Sequence, residues 1–302
     1  MARSMLMDSP VSPPRRRTRF APSPTGELHL GHVAAMIYVW GWADRWGSAV
    51  DLRIEDHDRQ RCRPEFTQHV LADLDWLGFA PVRGGQASIQ SQQTERYTQA
   101  LDRLRRAGLV YACRCSRKTL PLAAPGTEPC YPGHCRDQGW PEGPDTALRV
   151  RLPETPVRFQ DDRLGWQEQI PARQCGDLVL RDRHGQFTYQ FAVVVDDLAD
   201  GIDWVIRGQD LLASTGRQMA LARLLGGTPP RHWLHHRLIA GADGRKLSKS
   251  EGAPPLAQLR ERGLSPPEVI GLAASRVGLQ SNPRPCAATE VARLLVAETP
   301  EG

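Results

Sequence analysis

The chain contains very little lysine. Of its 39 basic residues, 36 are arginine and only three are lysine. Two of the three lysines fall in one pentapeptide, Lys246-Leu247-Ser248-Lys249-Ser250. Because arginine is used almost everywhere else, a loop that keeps two lysines indicates a need for compact, mobile ammonium groups, as phosphate-binding loops have. We therefore expect this loop to bind a triphosphate.

Long apolar runs are also missing, which argues against a membrane span and against a signal sequence. The cysteine count is seven, an odd number, and four cysteines lie within 23 positions: Cys113, Cys115, Cys130 and Cys135. This pattern favours metal binding in a reducing compartment over a disulfide framework. The sequence thus predicts a cytoplasmic protein that has no membrane partner.

Excess charge is largely confined to one end of the chain. The net charge is +5, and the first twenty residues contribute five arginines and one aspartate. The remainder is nearly neutral, so bulk charge is weak support for RNA binding. Residues 1–17 combine Pro, Ser, Met and Arg and are predicted to form a disordered basic tail.

The order of predicted elements indicates a parallel α/β sheet. A short strand at 18–21 leads through a turn to a helix at 33–46 and a strand at 49–54. Further helices are expected at 64–77, 94–107 and 211–225, from Pro266 or Pro267, and at 291–296, with regular segments at 109–111, 148–152, 187–195, 204–206 and 233–239. We place the first half of the catalytic domain at 18–112 and a cysteine-rich zinc insertion at 113–147. Residues 148–252 are predicted to contain the remainder of the insertion and the second half of the catalytic domain, and residues 253–302 a helical C-terminal region.

A nucleotide site is predicted where the first strand turns into the first helix. The segment from Arg19 to His32 carries two histidines three positions apart, His29 and His32, around Gly31. A helix N-terminus at a sheet edge attracts phosphate, and two imidazoles there can donate hydrogen bonds to a reacting triphosphate. Glycine at position 31 would leave room for adenosine against the backbone.

Five blocks of sequence resemble the glutamyl and glutaminyl branch of the class I aminoacyl-tRNA synthetases. The blocks are the long form of the histidine motif and the lysine loop, with three between them: Arg19–His32, Leu52–Asp56, Tyr189–Asp197, Val205–Leu211 and Lys246–Ser250. The resemblance implies a Rossmann-type parallel sheet with an inserted zinc-binding subdomain. Only about fifty residues follow the lysine loop, which leaves no room for the anticodon-binding region of the full-length enzymes.

This chain looks like a shortened member of the branch with a cysteine insertion. In these two features it is similar to the paralogues that attach glutamate to queuosine in tRNA(Asp). The resemblance implies ATP with Mg²⁺, L-glutamate and queuosine-bearing tRNA(Asp) as partners, activation without tRNA, and a monomer. Three alternatives remain open: ordinary glutamylation of a tRNA 3′ end, a catalytically silent RNA- or protein-binding paralogue, and a nucleotidyltransferase for a small cofactor.

The resemblance also implies the site residues. ATP would be bound by His29, Gly31, His32, Lys246, Ser248 and Lys249, with the two histidines and two lysines catalytic. Recognition of glutamate calls for arginine on a carboxylate and an acid facing the ammonium. On the family pattern the arginines are Arg19 and Arg207, the acid is Glu55 and a hydroxyl comes from Tyr189, while the turn contributes Phe20, Ala21, Pro22 and Ser23.

The cysteine insertion is predicted to bind one structural zinc ion. Cys113, Cys115 and Cys135 supply three thiols at a spacing that suits tetrahedral zinc. The resemblance implies Tyr131 as the fourth ligand, with Cys130 and His134 as the ordinary alternatives. Because the loop has few apolar residues, a metal would fix its shape.

Overall fold

The computed structural model describes residues 16–81, 87–116, 120, 128–239 and 254–298. Most of the predicted N-terminal tail and the whole lysine loop lie outside these residues. The strands are β1 (Arg17–Phe20), β2 (Ala49–Ile54), β3 (Ser88–Ile89), β4 (Val110–Cys113), β5 (Ala147–Val150), β6 (Val157–Asp161), β7 (Gly165–Gln169), β8 (Leu178–Arg181), β9 (Trp204–Gly208) and β10 (His232–His236).

The α-helices are α1 (Leu30–Arg45), α2 (Pro64–Leu77), α3 (Thr94–Arg106), α4 (Pro171–Gln174), α5 (Tyr189–Ala199), α6 (Leu212–Leu224), α7 (Leu256–Glu261) and α8 (Pro266–Arg276). Three 3₁₀ segments cover Gln90–Gln92, Gln209–Leu211 and Ala288–Glu298. None of the described helices is long and apolar enough to cross a membrane.

The fold contains two sets of parallel strands, as the sequence predicted. β1, β2 and β3 pair in parallel. β9, β10 and β6 form a second parallel set, with β7 antiparallel at its edge. The two sets meet where the backbone N–H of Asp203 donates to the carbonyl oxygen of Arg17, at 3.2 Å. This hydrogen bond lies at the amino ends of β1 and β9, and Phe20 and Ile206 further along the two strands share one core, so the strands run side by side. Their carboxyl ends therefore lie at the same edge, and in open α/β sheets ligands bind at that edge.

A separate antiparallel sheet joins β4, β5 and β8. The cysteine-rich segment lies between β4 and β5, so it extends from a sheet that is distinct from the parallel strands. Its small cluster of buried side chains contains Cys113, Tyr131 and Cys135. Two larger apolar cores, one around α1 and one around α5, support the parallel strands.

Several predicted boundaries were wrong for local reasons. α1 begins at Leu30, three residues before the predicted start, because His29 caps it through its side chain, a role that histidine seldom takes. Arg17 belongs to β1 and not to the tail, since its side chain pairs with Asp51. The predicted helix at 291–296 is part of a longer 3₁₀ segment, and the hairpin of β6 and β7 was missed.

Candidate active site

The two histidines of the first motif face each other at the start of α1. His29 Nδ1 accepts the backbone N–H of Gly31 at 3.1 Å, and His32 Nδ1 accepts the backbone N–H of His29 at 3.1 Å. Since each Nδ1 is an acceptor, the proton of each neutral imidazole lies on Nε2. Both rings therefore carry a hydrogen-bond donor on the nitrogen away from the backbone.

Glycine at position 31 leaves room for the side chain of His29. A Cβ added there would lie 2.8 Å from Cε1 of His29. The imidazole of His29 thus occupies the space that any side chain at 31 would need. The glycine allows the histidine to fold over the helix N-terminus, and it also lines the neighbouring cavity.

A cavity of about 190 Å³ adjoins this motif. Its lining comes from the start of α1 and from the carboxyl ends of β9 and β10, and includes His29, Gly31, His32, Gly208, Asp210, His236 and Ile239. The backbone N–H of Leu256 donates to Leu28 at 2.9 Å, and His29 pairs with Pro255. The described residues on both sides of 240–253 therefore lie at the histidine motif, although Lys246, Ser248 and Lys249 themselves lie outside the described residues.

A buried cluster of charges lies beside the turn. Asp197 on α5 accepts hydrogen bonds from Arg19 Nε at 3.0 Å and from Arg53 Nη1 at 2.7 Å. Arg53 also pairs with Asp200 at 3.0 Å. One carboxylate thus holds two guanidinium groups, and the paired charges keep the pKa of Asp197 below its ordinary value despite burial. Arg19 is held through Nε, and its two Nη nitrogens take no part in this bond.

Glu55 follows β2 and is almost fully buried, with 4% of its surface exposed. Its Oε1 has no hydrogen-bond partner among the described residues, and the nearest guanidinium nitrogen, of Arg53, is 3.9 Å away. Burial raises the pKa of Glu55 to about 7, with Arg53 and Arg19 opposing the shift. A buried carboxylate oxygen without a hydrogen bond is costly, so this group is suited to receive a cationic donor.

Arg207, on β9, is buried and makes no ion pair with any described carboxylate. Burial lowers the pKa of this guanidinium to about 10, so it stays charged near neutral pH. Tyr189 begins α5, and its pKa is raised first by burial and next by the charge of Glu55, with Arg207 and Arg19 opposing. The structure thus brings together the four residues that the sequence predicted around glutamate.

The turn residues have different environments. Ala21 is half-buried, Pro22 is buried and Ser23 is exposed. The ring of Phe20 lies 5.4 Å from the ring of Trp40, within the core around α1. The structure therefore does not support the predicted contact between the Phe20 side chain and glutamate, because that ring packs in the apolar core.

Three thiols converge in the cysteine-rich segment. The Sγ atoms of Cys113, Cys115 and Cys135 all lie within 4.8 Å of one another. The hydroxyl of Tyr131 accepts the backbone N–H of Cys135 at 2.7 Å, which places this oxygen beside the thiols. The thiol of Cys130 instead donates to the carbonyl of Arg173, and His134 is exposed. Among the described residues, Tyr131 is thus the best-placed fourth ligand.

Gly176 explains how the segment docks. Its φ is +69°, and a Cβ there would lie 2.0 Å from the carbonyl oxygen of Tyr131. Only glycine allows the chain before β8 to approach Tyr131 so closely. The three thiols lie close enough together to hold a metal ion, and the hydroxyl of Tyr131 lies beside them.

Sequence reasoning missed some residues of the site. Asp197 stood in a quoted block without a role, although it holds both Arg19 and Arg53. Gly208 and Asp210 line the cavity beside the histidines but were not predicted there. The signal was the two blocks themselves: only Tyr189 had a predicted role in Tyr189–Asp197, and only Arg207 had one in Val205–Leu211.

The family model that describes the catalytic domain of class I tRNA synthetases of the E and Q type matches residues 16–292. A glutamyl-Q tRNA(Asp) synthetase of Nitratidesulfovibrio vulgaris is 40% identical over 282 residues, which cover 87% of this chain and 86% of that protein. One of Rhodobacter capsulatus is 40% identical, covering 84% and 99%. The match defines a class I synthetase of the glutamate and glutamine type, which is a ligase.

Solved structures agree with this class. A glutamate tRNA ligase from Elizabethkingia meningosepticum, in complex with its amino acid, superimposes with a TM-score of 0.75 at 25% identity. That match covers 93% of this chain and 64% of the ligase. A glutamate–tRNA ligase of Frankia alni is 38% identical, and the match covers 54% of its length. Within the class, the chain belongs to the glutamyl-Q tRNA(Asp) synthetase family.

Proposed function

We propose that the protein activates L-glutamate with ATP in the absence of tRNA and transfers the glutamyl group to queuosine in the anticodon loop of tRNA(Asp). Two buried groups carry the proposal: Glu55, whose Oε1 has no hydrogen-bond partner among the described residues, and Arg207, which makes no ion pair with any described carboxylate. An amino acid brings an ammonium for the first and a carboxylate for the second. Arg19 supplies a further cation for the second carboxylate of glutamate.

Activation requires that a carboxylate oxygen of glutamate attacks the α-phosphorus while pyrophosphate leaves. The Nε2–H groups of His29 and His32 would stabilise negative charge on the phosphates. Lys246 and Lys249 would meet the same charge from the second motif. Mg²⁺ bound with ATP would neutralise part of the charge on the triphosphate. The protein's part is to position these donors, with no covalent enzyme intermediate.

Transfer needs room for a nucleoside beside the activated glutamate. A cavity of about 550 Å³ extends from Tyr189 to the cysteine-rich segment and is lined by both acidic and basic side chains. A zinc ion held by Cys113, Cys115, Tyr131 and Cys135 would fix one wall of this cavity. We assign it a structural role, because four protein ligands leave no position for a substrate.

Free thiols at all seven cysteines fit a protein of the reducing cytoplasm. The proposal treats the protein as a monomer. Conventional charging of a tRNA 3′ end is the second candidate, and the relatedness to glutamate–tRNA ligases supports it in part. A silent RNA-binding paralogue is not favoured, because a buried carboxylate oxygen without a hydrogen bond and a buried guanidinium without a counter-charge are costly unless a ligand uses them.

Purified protein with ATP, Mg²⁺ and labelled glutamate tests the proposal. Pyrophosphate exchange should occur without tRNA, and label should pass to queuosine-containing tRNA(Asp) but not to the same tRNA lacking queuosine. Activation that requires a glutamate tRNA, with label on the 3′ end, would establish the conventional reaction instead. Absence of any activation would leave the silent paralogue.

A further inference from the structure

Arg207 differs from the neighbouring arginines because every partner the structure gives it is neutral. Its Nε donates to His235 Nε2 at 3.0 Å, its Nη1 to Gln218 Oε1 at 2.6 Å and its Nη2 to Thr215 Oγ1 at 2.8 Å. Arg19 and Arg53, in contrast, both donate to a carboxylate. The positive charge of Arg207 is therefore oriented by the protein without being neutralised by it.

His235 is held from its other side by Asp161. Both side chains are fully buried, and Nδ1 of the histidine lies 2.6 Å from Oδ2 of the aspartate. Asp161 Oδ1 accepts the backbone N–H groups of Arg163 and Leu164 at 3.1 and 2.9 Å, which fix the carboxylate at the end of β6. The turn after β6 thus anchors the carboxylate of Asp161.

The two ends of this chain of hydrogen bonds define one tautomer of His235. A guanidinium nitrogen is only a donor, so Nε2 of the histidine must accept. Asp161 as a carboxylate is only an acceptor, so Nδ1 must carry the proton. Both requirements are met by the neutral imidazole protonated at Nδ1. The tautomer protonated at Nε2 and the imidazolium do not meet them.

We propose that Asp161 and His235 are positioning residues that orient Arg207 while keeping its charge for a carboxylate of the amino acid substrate. A carboxylate in place of His235 would neutralise Arg207 and compete with that substrate. An imidazolium would place a second cation, with a donor at Nε2, against Nε of Arg207. The inference rests on the proposed function, because it assumes that Arg207 binds the amino acid.

The charged surroundings favour the neutral imidazole. Burial lowers the pKa of His235, and the positive charges of Arg207 and Arg163 act in the same direction, while Asp161 opposes them. His236, the next titratable side chain on β10, also has a lowered pKa, chiefly through burial. Thr215 on α6 adds a neutral hydroxyl 3.1 Å from Nε2 of His235. No described group packed here supplies a second negative charge to favour the imidazolium.

Two substitutions test the role. Asp161→Asn presents an amide donor to Nδ1, which reverses the tautomer and sets an N–H against Arg207. His235→Phe removes the acceptor while keeping a ring. Each should raise the KM for glutamate in pyrophosphate exchange about ten- to hundredfold, the value of one charge-assisted hydrogen bond, and leave the KM for ATP within about twofold. His235→Gln, whose amide oxygen can still accept from Arg207, should recover part of the loss.

Matched controls are available on the same elements. Asp162→Asn changes the adjacent carboxylate, and His232→Phe makes the same replacement at the other end of β10, so both should leave the KM for glutamate unchanged. A KM for glutamate within about twofold of wild type in a folded Asp161→Asn or His235→Phe protein would overturn the inference. Equal increases in both KM values would do the same.

Misfolding of the variants and failure of the proposed function can each be distinguished from failure of the positioning role. If both variants fail to fold, ¹⁵N spectra of the wild-type histidine rings decide, because the inference requires a protonated Nδ1 and an unprotonated Nε2 on His235 at neutral pH. A proton on Nε2 would refute it. If the wild-type protein does not activate glutamate, the proposed function fails. If it does and the variants behave as the controls, only the positioning role fails.

Discussion

Replacing Glu55 by Gln removes one charge from a site that the fold has otherwise dehydrated. Only 4% of Glu55 is exposed, and Oε1 has no hydrogen-bond partner among the described residues. The substrate ammonium would therefore be its principal partner. Two unit charges about 3 Å apart interact by roughly 5 kcal/mol at an effective dielectric constant near 20.

Three factors reduce that figure for Glu55→Gln. The amide oxygen of Gln still accepts a hydrogen bond from the ammonium. Near neutral pH the unliganded carboxyl is about half protonated, since its pKa is about 7. Water can also reach the ammonium in a site that has lost its charge. We expect a loss of about 3 kcal/mol, which is roughly a hundredfold increase in the KM for glutamate.

Pyrophosphate exchange with varied glutamate and ATP measures this loss. The KM for glutamate should rise on the order of a hundredfold while the KM for ATP stays within about twofold. Glu65→Gln, the same replacement on the exposed side of α2, is the matched control and should behave as wild type. Equal effects of Glu55→Gln on both substrates would refute the ammonium role.

Three more predictions concern the remaining parts of the site. His32→Ala or Lys249→Ala should slow exchange about a hundredfold, as the loss of a transition-state donor does, and a near-normal rate would exclude that residue from the mechanism. The KM for glutamate should fall between pH 6 and 8, because the raised pKa of Glu55, about 7, keeps the carboxyl protonated at the lower pH; Glu55→Gln should abolish this dependence. Cys115→Ser protein should lose zinc in metal analysis while Cys130→Ser retains it; full zinc occupancy in Cys115→Ser would exclude the proposed ligand set.

The pH prediction concerns binding, and the same group also affects folding. A carboxyl whose pKa is raised in the folded state favours folding at low pH, and this contribution is lost as the pH rises through about 7. Unliganded protein should therefore become less stable as the pH rises from about 4.5, the ordinary pKa of a glutamate carboxyl, to about 7, and saturating glutamate should oppose the change. Thermal unfolding with and without glutamate measures both effects.

Helices and strands with strong local signals were predictable. α2 matches its prediction from Pro64 to Leu77, because proline suits the first helical turn and Gly78 ends the helix in the left-handed conformation. β2 matches from Ala49 to Ile54. The start of α1 was not predictable, since its cap is a histidine whose geometry depends on the neighbouring turn. The C-terminal 3₁₀ segment was mistaken for an α-helix because both show similar apolar spacing.

The site was predictable only as a set of residues. Motif spacing alone pointed to His29 and His32, to the lysine loop and to the cysteines, because the nucleotide and metal chemistry requires those residue types close together in sequence. The family resemblance added Arg19, Glu55, Tyr189, Arg207 and Tyr131. Neither approach indicated how these side chains are held.

The tertiary structure alone decided the partners. Arg19 meets Asp197 across 178 positions, and Asp161 meets His235 across 74. Such pairs depend on which strands and helices become neighbours in the fold. The spacing of residues along the chain does not indicate these neighbours. The sequence determined which charges the site contains, whereas only the packing of β6, β9, β10 and α5 decided which of them are neutralised by the protein and which are not.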